Sequence, residues 1–112
     1  MPPRFKVSPK ADRTLDGITF DSKKEMLRYA ELKLLERAGC ISDLECQIPC
    51  PVSISGKKFC TYTMDFRYFD KKAARWILEE VKSSGTAKDE AYKLRRKAAE
   101  LYWDMKITEV IR

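Results

Sequence analysis

Hydrophobic positions recur along this chain in two different periods, and the switches between them mark its elements. Met26, Leu27, Tyr29, Ala30, Leu32, Leu34, Leu35 and Ala38 form a broad helical face. Ser22 stands where an N-cap belongs, Glu25 three residues on makes a capping box, and Gly39 stops the helix. Gly17–Phe20, ahead of it, is a short extended segment. Past the helix, Ile41 to Gln47 is expected as a strand broken by Pro49 and Pro51, with a short extended piece at Val52–Ile54. A turn at Ser55-Gly56-Lys57 leads into Lys58–Phe69, rich in aromatic and β-branched residues and expected as a long strand. Ala74–Val81 pairs with it across the Asp70-Lys71-Lys72 turn. Ser83–Thr86 reads as a loop. A second helix is expected from Ala87 to Trp103, with Ala87, Ala91, Leu94, Ala98 and Leu101 as its inward stripe, and Lys106–Ile111 alternates as a final strand. The order α-β-β-β-α-β, without repeats, describes one α/β domain over residues 17–112. Residues 1–16 carry Arg4, Lys6, Lys10 and Arg13 with little apolar periodicity, and read as a flexible basic arm.

A chain of 112 residues supports one modest core, and 44% hydrophobic residues is ordinary for a globular domain. The net charge of +6 suits a polyanionic partner, with nucleic acid ahead of an anionic membrane. No apolar run reaches the length of a membrane span and no secretory segment follows Met1, so the expected compartment is the cytosol. Histidine is absent altogether. That excludes Ser-His-Asp and Cys-His hydrolases and the histidine-dependent nucleases, leaving carboxylates, lysine and metal for any hydrolysis. Cys40, Cys46, Cys50 and Cys60 lie six, four and ten residues apart, which fits no common zinc module, and they are expected as reduced thiols.

Within this frame Asp65, Glu80 and Lys82 stand out. Two carboxylates fifteen residues apart, with a lysine two positions after the second, match a metal-dependent phosphodiesterase site built on adjacent strands. Solvated charges on a surface hairpin are the plain alternative. Asp65, however, sits among Tyr62, Met64, Phe66 and Tyr68, where strand propensity disfavours aspartate, so a carboxylate there needs a reason. Alternation puts Glu80 on one face with Lys82 and turns Glu79 the other way, with Ile77 and Val81. Lys93, Arg96 and Lys97 lie off the inward stripe of the second helix, as either a solvated face or a set of phosphate contacts. Tyr29, Tyr92 and Trp103 fall at helical spacings that suit the core rather than base stacking.

The ordered set Asp16–Glu25, Glu31–Gly39, Ile41–Glu45, Asp65–Tyr68, Glu80-Val81-Lys82 and Lys106–Val110 resembles the PD-(D/E)XK nuclease superfamily. It is closest there to a family of small bacteriophage proteins assigned to it. The resemblance spans nearly all of Asp16 to the C-terminus, with Met64 where the motif name expects proline. It implies a restriction-endonuclease-like fold, a mixed central sheet flanked by helices. It also implies Asp65 and Glu80 as ligands of Mg²⁺ (or Mn²⁺), Lys82 as the catalytic lysine, and Glu25 as an added acid of the first helix. Glu25 as a helix cap alone is the competing reading. The function implied is a metal-dependent DNA endonuclease. A chain with no separate readout domain would select branched, flap or Holliday-junction DNA by shape, and symmetric cutting would need a homodimer. The rivals are an inactive nucleic-acid-binding module and a protein-interaction factor with a basic surface.

Overall fold

The computed structural model of the chain describes residues 8–82 and 89–111. The arm residues Arg4 and Lys6, the loop expected at 83–86 and the expected helix start at Ala87 lie outside the described residues. A single 3-10 turn at Lys10–Arg13 leads into a two-residue hairpin of β1 (Thr14–Leu15) and β2 (Ile18–Thr19). Helix α1 (Lys23–Arg37) follows, then β3 (Ile41–Ile54), β4 (Lys57–Asp70) and β5 (Arg75–Lys82). Helix α2 (Glu90–Tyr102) and β6 (Thr108–Ile111) complete the chain. Strands β3, β4 and β5 are antiparallel neighbours, and β6 adds parallel to β5, giving a mixed four-stranded sheet in the order β3-β4-β5-β6. This is the α/β domain expected from the pattern.

Residues 8–16 are a correction to the flexible arm. Arg13 donates from Nε to the Ser8 carbonyl at 2.9 Å and from Nη1 to the Phe20 carbonyl. A guanidinium that bridges two backbone carbonyls ties this segment to the start of the domain, and the β1–β2 hairpin extends the tie.

Strand β3 is a second correction, because it runs unbroken through Pro49 and Pro51. It pairs only with β4 and is therefore an edge strand. Two residues apart, both prolines direct their donor-less nitrogens to the same, open side, where no ladder bond is lost.

Helix α2 is phased differently from the expected stripe. Tyr92 and Ala99 are its buried residues, whereas Leu94 and Leu101 are 63% and 71% exposed. On α1, likewise, Tyr29 and Leu32 are buried while Leu27 and Leu34 are exposed. Leucine spacing alone does not distinguish the face that meets the sheet from one that does not.

The core forms two clusters on the two faces of the sheet. Phe20, Tyr29, Leu32, Phe66, Tyr68 and Val81 pack beneath α1. Tyr62, Met64, Cys50, Val52, Tyr92 and Ala99 pack beneath α2. Met64 and Phe66 are two residues apart on β4, and regular alternation would put them on one face. They belong to different clusters, as do their β3 partners Ile48 and Cys46. The face switch falls at Asp65 on β4 and at Gln47 on β3. Gln47 adopts a left-handed φ of 55°, which breaks the pleat there.

Candidate active site

The switch at Asp65 positions everything else in the site. The β4–β5 ladder ends at the Phe66–Glu79 pair, so beyond it the two strands are no longer joined backbone to backbone. Side chains take over: Asp65 Oδ2 accepts from the Val81 amide at 2.7 Å, and Glu80 Oε2 accepts from the Asp65 amide at 3.3 Å. Both carboxylates are therefore buried at the point where the sheet splits, Asp65 5% and Glu80 2% exposed. Lys82, on the Glu80 side of β5, places Nζ 2.9 Å from Glu80 Oε1 and 5.5 Å from the Tyr92 ring centre. The Tyr62 hydroxyl is buried beside Glu80 without ordinary hydrogen-bond geometry.

Glu25 reaches the same place from the first turn of α1. Ser22 Oγ accepts from the Glu25 amide at 3.1 Å, one half of the expected capping box. The Glu25 carboxyl is buried near Asp65 and Glu80, and its Oε1 has no hydrogen-bond partner. The structure thus brings Glu25, Asp65, Glu80 and Lys82 together, although they come from one helix and two strands.

Three carboxylates facing one ammonium in a desolvated pocket disfavour full ionisation. Burial, then the charges of Glu80 and Glu25, push the Asp65 carboxyl up to about 9. Burial and Asp21 push Glu25 up to about 7. Glu80 is raised by burial, against the pull of Lys82. Burial works against the Lys82 ammonium, but Glu80, Asp65 and Glu25 outweigh it and keep the lysine charged.

These shifts have a consequence for stability. A carboxyl whose pKa is higher in the folded than in the unfolded state contributes stability at low pH and loses it as the pH rises through the folded value. Asp65 moves from 3.8 to about 9 and Glu25 from 4.5 to about 7. The melting temperature of the metal-free protein should therefore fall between about pH 5 and pH 9, with millimolar Mg²⁺ recovering part of the loss at the alkaline end. A melting temperature that climbs steadily over this range contradicts the crowded-carboxylate description.

The donor set suits a hard divalent cation, which prefers carboxylate oxygens. The buried, unpartnered Glu25 Oε1 is the observation that tests the fit, since a cation would satisfy it. Among the described residues no three histidine, cysteine, aspartate or glutamate side chains already stand in a metal-ligating arrangement. The hydrogen bonds account for this: Asp65 Oδ2 and Glu80 Oε2 face backbone amides and Glu80 Oε1 faces Lys82. Holding an ion would mean turning these oxygens toward Glu25.

Glu79 does point away from Glu80, but not to solvent. Arg28 donates to it bidentately, Nε to Oε2 and Nη2 to Oε1, both at 2.8 Å, and Tyr68 Oη donates to Oε1 at 2.9 Å. This buried group links α1 to β5. The spacing of Arg28 and Glu79 in the sequence carries no sign of it.

The basic residues of α2 do not act as one set. Lys93 and Lys97 are exposed, Lys93 in a 3.5 Å pair with Glu90. Arg96 instead turns toward the sheet, where it pairs with Glu109 of β6 and lies 5.8 Å from the Tyr92 ring centre. Its guanidinium is thus engaged within the fold, unlike the ammonium groups of the exposed Lys93 and Lys97. The cysteines are all free, Cys40 exposed and Cys50 buried. Among the described residues no helix is long and apolar enough to cross a membrane.

No curated protein and no solved structure matches the chain. Residues 9–112 match the family described as a protein of unknown function, DUF1064, and the chain belongs to that family.

Proposed function

We propose that this chain is a metal-dependent DNA endonuclease of the PD-(D/E)XK kind that selects its substrate by DNA shape. The observation that carries the reading is the convergence of Glu25, Asp65 and Glu80 on one charged lysine, with a buried carboxylate oxygen left unpartnered. A structural role alone gives no reason to bury three mutually repelling carboxyls, whereas a site for a divalent cation does. Asp65 and Glu80, with Glu25, would hold Mg²⁺ or Mn²⁺. Bound there, the ion supplies positive charge that polarises the scissile phosphate. Lys82 keeps its proton and, held 2.9 Å from Glu80, would steady the attacking water or the developing charge. The net charge of +6 favours a phosphate backbone as the partner.

The test is a panel of branched, nicked, single-stranded and linear duplex DNAs incubated with and without Mg²⁺. Cleavage that needs the metal and prefers a branched substrate is expected. Absence of cleavage with every substrate, in Mg²⁺ and in Mn²⁺ alike, refutes the enzyme reading. Salt-sensitive DNA binding would then indicate an inactive binding module.

Glu25→Gln separates the cap from the catalytic role, because the amide retains the size of the side chain and removes its charge. Cleavage should drop by about 10-fold or more with little change in melting temperature. Unchanged cleavage removes Glu25 from the site.

Exposed Lys93 and Lys97 are expected to contact phosphates without reading bases. Neutralising both should weaken DNA binding uniformly across sequences. It should also flatten the plot of log K against log salt by about one unit per lost contact. An unchanged slope assigns the DNA path to another surface.

A further inference from the structure

The outward face of α2 carries an apolar seam that the monomer uses only at its edge, where Ala98 is partly buried against the core cluster beneath the helix. Ala91, Leu94, Ala98 and Leu101 follow the three-four-three spacing of the two apolar positions of a heptad. Tyr92 and Ala99, which anchor α2 on the sheet, lie on the other side of the helix. Leu94 and Leu101 are 63% and 71% exposed and Ala91 is exposed as well, while Ala98 borders the core cluster that Tyr92 and Ala99 anchor.

The residues beside the seam indicate what covers it. Glu90 and Lys97 flank one edge, and Arg95 and Tyr102 flank the other. In a parallel pair of α2 helices the position before one apolar residue meets the position five residues later on the partner. Glu90 would then face Arg95 of the second copy, and Lys97 would face Tyr102, each contact made twice by the two-fold axis. An ion pair and a cation–aromatic contact are both favourable. An antiparallel pair in the register that packs alanine against leucine brings Arg95 near Arg95 and Lys97 near Lys97, which is repulsive. The charges therefore complement a second copy of the same helix in one orientation.

From this we infer that the chain forms a parallel homodimer through α2, with Leu94 and Leu101 packed across the two-fold axis. The inference does not depend on the proposed activity. The helix is 13 residues long, so the seam is only about 20 Å. Three exposed seam residues and the edge of Ala98 bury less than a standard interface does, so the association is weak, with a dissociation constant on the order of 10–100 μM.

Sedimentation equilibrium over a range reaching several hundred micromolar should show a monomer–dimer equilibrium. Leu94→Asp combined with Leu101→Asp should leave only monomer, with circular dichroism confirming that the fold persists. Glu90→Arg alone and Arg95→Glu alone should each weaken association about 3- to 10-fold. The double reversal Glu90→Arg/Arg95→Glu should restore it, which only the parallel pairing predicts. A monomer at every concentration overturns the inference. So does a dimer that survives the two aspartates, or a double reversal that fails to recover.

Discussion

Alanine at Asp65, Glu80 or Lys82 is expected to lower the rate of Mg²⁺-dependent DNA cleavage by about 10²-fold or more in each case, with the fold still cooperative. The three residues meet at one point although they come from two strands. Glu80 accepts from the Asp65 amide and pairs with Lys82, while Asp65 accepts from the Val81 amide. Removing any one takes away a charge that would act on the ion or on the phosphate. It also relieves carboxylate crowding, which offsets part of the lost hydrogen bonding in the Asp65 and Glu80 variants. Single-turnover cleavage of the best substrate, with thermal melts of each variant, makes the comparison. Full activity in Glu80→Ala would sink the site assignment.

The opposite behaviour is expected one residue earlier. Glu79→Ala should destabilise the protein by about 3 kcal/mol, because it takes both short hydrogen bonds from the Arg28 guanidinium, leaving it only the exposed Glu31, and leaves the Tyr68 hydroxyl without its acceptor. Glu79 is 1% exposed and the Arg28 side chain 19%, so water reaches the arginine and holds the cost near the low end for a broken buried pair. For a domain of this size that is a drop of roughly 10–20 °C in melting temperature. Below its own transition the variant should still cleave DNA, since Glu79 lies on the other face of β5 from Glu80 and Lys82. Replacing both partners by apolar residues, Arg28→Met with Glu79→Leu, should recover much of the stability, because no uncompensated charge is then buried. A Glu79→Ala melt within a degree or two of the parent contradicts the network described here.

The parts of the fold that were legible in the sequence rest on short-range rules. Ser22 and Gly39 bracket α1 as cap and stop signals should, and the helix runs over Lys23–Arg37. Aromatic and β-branched residues mark β4, and the Asp70 turn returns the chain as β5, the Asp70 carboxylate accepting from the Lys72 and Ala73 amides. The misreadings share one cause. Pro49 and Pro51 break a strand only if its nitrogens must donate, and β3 lies at the sheet edge. Leu94 and Leu101 define an inward stripe only if that side of α2 meets the sheet, whereas Tyr92 and Ala99 make that contact. Arg13 belongs to a loose arm only if no carbonyls lie within its reach, and Ser8 and Phe20 provide them. In each case the sequence supplies the residue and the neighbours decide its role.

The amino-acid sequence by itself determines the two helices, the order of the strands and, through period-two alternation, the shared face of Glu80 and Lys82. It also marks Asp65 as out of place among aromatic strand residues. The expected pairing of the two strands already brings Asp65 toward Glu80, but tertiary structure alone decides how the two carboxylates are buried there beside Glu25. That follows from the break in the pleat at Gln47 and Asp65, where β4 parts from β5 and carboxylates replace the missing ladder bonds. Tertiary structure alone likewise ties Glu79 to Arg28 and Arg96 to Glu109. Local rules act over a few residues, whereas these pairs span 51 and 13 positions and form only when the sheet and its helices are assembled.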